Sequence, residues 1–161
     1  MGREVRKVPA DWQHPKYTEE NAPHSRAAGR YIPMWPHSYA AAEKEWLEKA
    51  NAEGIEAAID YYGEAPNRAD YMPDWPEEAR THFMMYEDTS EGTPISPAFA
   101  TPEELARWLA DTGASAFAED TATYEAWLRV ANGGFAPSAV LTSVGFQSGV
   151  QALSATATEG E

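Results

Sequence analysis

Thr101-Pro102-Glu103-Glu104-Leu105-Ala106-Arg107-Trp108-Leu109-Ala110-Asp111-Thr112-Gly113 is the stretch with the clearest local grammar in the chain. Thr101 and Glu104 have the spacing of a capping box, whose two side chains satisfy orphan backbone donors, and Pro102 stands where a missing N–H costs nothing. Leu105, Trp108 and Leu109 then recur at i, i+3 and i+4 until Gly113 stops the run. The pattern predicts a helix with Trp108 at the centre of the core. A second helix is expected from about Thr121 to Asn132, with Tyr124, Trp127, Leu128 and Ala131 on its inner face and Gly133-Gly134 after it.

Working outward, Ser38 can cap a helix that turns Tyr39, Ala42, Trp46, Leu47 and Ala50 inward and pairs Glu45 with Lys49. Ile55, Ala58, Ile59 and Tyr62 continue helical spacing to Gly63. Strands are expected at His82 to Glu87, at Ser138 to Val144, and in a return from Phe146 to Leu153, with Gly145 supplying the turn. Pro76-Glu77-Glu78 could instead open a helix through Phe83 and Tyr86, but Thr81, Phe83 and Tyr86 favour a strand. The expected fold is α+β: a small antiparallel sheet of about three strands with three to four helices packed on it. An extended arm rich in proline and aromatics would occupy 1–37, the body 38–154 and a fraying tail 155–161, in a single domain.

Composition narrows the function classes. The chain has 161 residues with 12 basic and 26 acidic side chains, a net charge of −14. Gripping a nucleic-acid backbone needs clustered Lys and Arg, and there is no basic run, so direct backbone binding is not expected. Residues 1 to 30 hold six basic and four acidic residues, which leaves the acidity to the rest. With no cysteine, disulfides, thiolate metal sites and cysteine nucleophiles are absent together. No apolar stretch reaches the roughly 18 to 20 residues of a membrane helix, and the charged start has no apolar region behind it, so membrane association and a leader are not expected. Six Trp, eight Tyr and five Phe in a 43% hydrophobic chain suffice for a packed core. Val130 to Thr158 carries no charge at all, a composition that suits buried or paired β structure.

Tyr31-Ile32-Pro33-Met34-Trp35-Pro36 recurs 40 residues on as Tyr71-Met72-Pro73-Asp74-Trp75-Pro76. Prolines at these places hold the backbone extended. The straps are expected to cover the domain with their rings buried; exposed, Trp35 and Trp75 would instead clamp a partner.

Chemistry is harder to find. His14, His24, His37 and His82 lack metal-pair spacing, and no phosphate-cradling loop or nucleophile elbow occurs. Neither a catalytic residue, a metal nor a cofactor is therefore assigned. The segment Tyr86 to Pro97 concentrates Glu87, Asp88, Ser90, Glu91 and Thr93 between an expected strand and the capped helix. Such loops can carry acid–base or hydroxyl chemistry or bind a partner, or they can be solvated turns. Glu87, Asp88, Ser90, Glu91, Thr93, Trp35 and Trp75 are the candidate binding residues.

The opening Arg-Glu-Val-Arg-Lys-Val-Pro-Ala-Asp-Trp-Gln-His-Pro-Lys, the central Tyr-Glu-Asp-Thr-Ser-Glu-Gly-Thr-Pro-Ile-Ser-Pro with the capped helix after it, and the late Ala-Pro-Ser-Ala-Val-Leu-Thr with Ser-Gly-Val resemble an uncharacterised family of small accessory proteins of tailed bacteriophages and prophages. The resemblance implies work in the cytoplasm of an infected bacterium, and it transfers no site residue. Together with the acidity, it leads to an expected accessory protein that binds and modulates or inhibits a bacterial host protein. A nucleic-acid-handling or CRISPR-type defence complex is one such partner, since an acidic surface suits a basic groove. The alternatives are a small hydrolase or transferase with its site in the 86–97 loop, and a minor phage structural or assembly protein. The sequence does not choose an oligomeric state.

Overall fold

Arg3–Val8, expected in the arm, is β1, the middle strand of a three-stranded sheet in the computed structural model, which describes residues 2–87, 92–117, 119–133, 135–136, 139–142 and 145–151. Along its full length β1 pairs antiparallel with β2, His82–Glu87, from Arg3 opposite Glu87 to Val8 opposite His82. On its other edge Arg3 and Glu4 face Ala136 and Phe135 of β3, Phe135–Ala136. The late strands β4, Ala139–Thr142, and β5, Gly145–Ser148, form an antiparallel ladder of their own instead of joining β2. Gly145 opens β5; the two residues before it, and the tail expected to fray, lie outside the described residues. The chain is α+β.

Two compact units divide it. Residues 1–32 and 75–161 make a sheet unit, and residues 33–74 a second unit that interrupts the first in sequence. This partition differs from the expected arm and body because β1 ties the N-terminus to β2 by backbone pairing.

In the sheet unit, period-two alternation gives the sheet two covered faces. Val5, Phe83 and Met85 lie towards a core formed with α3, Pro102–Asp111, and α4, Tyr124–Gly133. Thr101 caps α3 by accepting the Glu104 N–H at 3.1 Å, and Leu105, Ala106 and Leu109 are fully buried. Trp127, not Trp108, is the largest fully buried side chain; Trp108 is half-buried at the margin, its ring 6.0 Å from Phe99. On the opposite face Tyr86 is wholly buried and Arg6 lies over its ring at 4.2 Å. The charges of β1 are compatible with burial because they are paired: Arg6 meets Glu4 at 2.8 Å, and Arg3 donates to the carbonyls of Ser115 and Gly2, both at 3.0 Å.

The second unit is a helical hairpin, α1, Tyr39–Glu53, and α2, Ile55–Tyr62. Ser38 caps α1 by accepting from the Ala41 N–H at 3.3 Å. Gly54, at φ 100°, turns the chain between the helices in a conformation that L side chains rarely adopt. The Trp46 indole, on α1, donates to the Gly63 carbonyl beyond α2 at 2.9 Å. Lys49 pairs with Glu53 rather than with Glu45. The repeated motif closes this unit: the Trp35 N–H donates to the Asp70 carbonyl at 2.7 Å and its carbonyl accepts from the Met72 N–H at 2.9 Å. That parallel bridge joins one copy of the repeat to the other and brings together the ends of the interrupting segment.

Candidate functional site

Glu87, the last residue of β2, and Thr93 are bonded to each other. The Thr93 hydroxyl donates to the Glu87 carboxylate at 2.9 Å, and the Glu87 N–H donates to the Thr93 carbonyl at 2.9 Å. Both groups are thus engaged with each other; Asp88, Ser90 and Glu91 lie outside the described residues. Trp75 packs edge-on against Trp12 within the sheet unit at 4.8 Å, while Trp35 belongs to the hairpin unit and is 41% exposed. The expectation that both straps bury their rings holds for neither Trp35 nor Tyr31, which are exposed.

A feature that the sequence did not disclose lies on the second face of the sheet. Ile32 offers a carbonyl to His14 Nε2, so that nitrogen carries the proton, and Nδ1 accepts from the Tyr86 hydroxyl at 2.9 Å. Trp12 Nε1 donates in turn to the Tyr86 oxygen at 3.1 Å. Burial, foremost, and then the Arg6 charge lower the His14 pKa, against the raising effect of the Ile32 bond. Burial pushes the Tyr86 phenol up to about 12. The pair is therefore neutral at pH 7, and its proton positions are fixed. The network borders a cleft of about 970 Å³ that Lys16, Tyr31, Ser96 and Trp108 also line. Ser96 Oγ is already engaged, accepting from the Met85 N–H at 2.8 Å and donating to the Pro97 carbonyl at 2.9 Å. A buried, satisfied network of this kind holds segments together. No signal short of the fold could have found it, because His14 and Tyr86 stand 72 residues apart.

The hairpin unit presents a different surface. Residues 33–74 contain nine carboxylates and three basic side chains, Lys44, Lys49 and Arg68. Of the four positions at helical spacing in α2, only Ala58 is completely buried; Ile55 is 63% exposed, Ile59 37% and Tyr62 47%. Those three stand at i, i+4 and i+7, on one face of α2. Tyr61 is 71% exposed and Leu47, on α1, 46%. Among the described residues, every exposed large hydrophobic except Tyr31 belongs to this unit. Also among them, no cluster of His, Asp and Glu is arranged to hold a metal ion, and no helix is long and apolar enough to cross a membrane. Compared with family models, with curated proteins and with solved structures, the chain matches none.

Proposed function

We propose that this protein is a phage-encoded accessory factor that docks on a bacterial host protein through its hairpin unit and modulates or inhibits it in the host cytoplasm. The carrying observation is the apolar face of α2, Ile55, Ile59 and Tyr62, left in water within an acidic segment. Large apolar side chains clustered in solvent and rimmed by charge are characteristic of interaction surfaces. A complementary partner offers an apolar seat edged with basic groups, as proteins that handle nucleic acids do. The phage-like wording of the sequence supplies the host context, and a defence complex with a basic groove is the partner type that fits best.

The reading is tested by capture from bacterial lysate with the wild-type chain and with Ile55→Ser/Ile59→Ser, which removes apolar area at exposed positions and leaves every charge in place. Loss of the same identified host protein from the variant supports it. Equal recovery by both proteins refutes it.

A further inference from the structure

We propose that the pocket of the hairpin unit receives a guanidinium group, an arginine side chain supplied by the partner. The inference rests on the docking reading above and names the chemistry that the surface selects. The pocket holds about 470 Å³, within the range of small ligand sites. Trp35, Trp46, Tyr62 and Tyr71 line it together with the acidic residues Glu45, Glu64 and Asp70. Aromatic faces attract a cation through their quadrupoles, and carboxylates accept the fork of donors that guanidinium offers.

Two further observations support a cationic occupant. The unit's own Lys and Arg side chains are committed elsewhere, leaving His37 as the one basic residue of the unit that lines the pocket: Lys44 meets Glu48 at 3.9 Å, Lys49 pairs with Glu53, and Arg68 lies 5.6 Å from the centre of the Tyr39 ring; these three lie off it. Among the described residues Glu45, Glu64 and Asp70 have no ion-pair partner. The walls are also fixed before any ligand arrives. Trp46 is tied to the Gly63 carbonyl, the Trp35 backbone is held by its bonds to Asp70 and Met72, and the His37 ring sits tilted against Trp35 at 5.5 Å and edge-on to Tyr71 at 5.4 Å. Preformed walls reduce the ordering cost of binding. Guanidinium is favoured over ammonium because it is planar, stacks on rings and is more weakly hydrated.

The experiment titrates the full-length ¹⁵N-labelled protein with N-acetylarginine amide and follows the indole N–H signals. Saturable shifts at Trp35 and Trp46, with the core Trp127 signal unmoved, are expected. N-acetylcitrulline amide, neutral and nearly isosteric, should leave all three in place. Glu64→Gln and Asp70→Asn should each weaken arginine binding by roughly two- to fivefold, the scale of an exposed ion pair. Equal shifts with citrulline amide, no saturable shift with arginine amide, or tighter binding of the ε-ammonium of Nα-acetyllysine amide would overturn the proposal. If host-protein capture depends on Ile55 and Ile59 while the arginine probe fails, only this inference falls. If the probe binds and capture ignores those residues, the docking reading falls and the pocket stands.

Discussion

His14 is held neutral by partners that specify its protons, and this makes it a source of pH-dependent stability. Its folded pKa lies below the ordinary 6.5 because burial, and then Arg6, disfavour the cation. The unfolded chain therefore binds more protons below that value, so the stabilising contribution is complete above about pH 6.5 and is lost as pH falls. Thermal melts at about pH 7.5 and about pH 5.5, either side of the free imidazole value, should show a lower midpoint in acid, and His14→Gln should flatten that difference. An unchanged slope in the variant would contradict the assignment. Tyr86→Phe deletes the central hydroxyl and leaves the His14 and Trp12 nitrogens unpaired, an expected loss of about 1–3 kcal/mol by denaturant unfolding. The two tryptophans of the helical pair separate in the same assay: Trp127→Ala should cost about 3–5 kcal/mol as a fully buried ring, and half-buried Trp108→Ala clearly less. The helical spacing assigned Trp108 to the core because periodicity reports a face and not the depth of a residue along it. Trp127, on an equally regular face, lies where α3, α4 and Met85 converge.

Among the elements, the span of α3 and most of its inner face were readable because its instructions are local: Thr101 and Pro102 start it, and Leu105 and Leu109 face the core. Thr101→Ala should lower stability by about 1 kcal/mol through loss of the cap, without altering the fold by circular dichroism. The span of β2 was readable from Thr81, Phe83 and Tyr86, with the helix alternative rejected. β1 was not. Arg-Glu-Val-Arg-Lys-Val lacks an apolar alternation, and its burial depends on Tyr86 and Ser115, which lie far along the chain. The pairing of the two aromatic repeats was hidden for the same reason, although the repeat itself was plain. Of the candidate site, the proposed residues Glu87 and Thr93 bond to each other. Among the described candidate residues Trp35 alone lines the pocket of the hairpin unit; Ala42, Trp46 and Tyr62 of its other walls were marked by helical spacing, whereas His37, Glu64, Asp70 and Tyr71 come from outside α1 and α2.

At the scale of the whole molecule, the chain combines a sheet unit with a continuous 42-residue interruption, residues 33–74, whose ends are joined by backbone hydrogen bonds. The first contains the fully buried Trp127 core, and the second bears, among the described residues, most of the exposed large hydrophobics, and nine of the chain's 26 carboxylates. The sequence made the acidity and the helices of the second unit legible. Which face of α2 remains in water depends on how α1 packs against it, through Ala58 and Trp46, and one-dimensional spacing does not carry that information. The proposed docking of this acidic, apolar face on a host protein is measured most directly as the affinity of the purified protein for a captured, identified partner, for wild type and for Ile55→Ser/Ile59→Ser, at about 0.15 M and about 1 M salt, where the screening length falls from about 8 Å to about 3 Å. The account predicts one-to-one binding that weakens with salt and at least tenfold weaker binding by the variant, since two exposed isoleucines removed from an apolar seat each contribute roughly 1 kcal/mol or more. Binding that is indifferent both to salt and to the loss of Ile55 and Ile59 would contradict it.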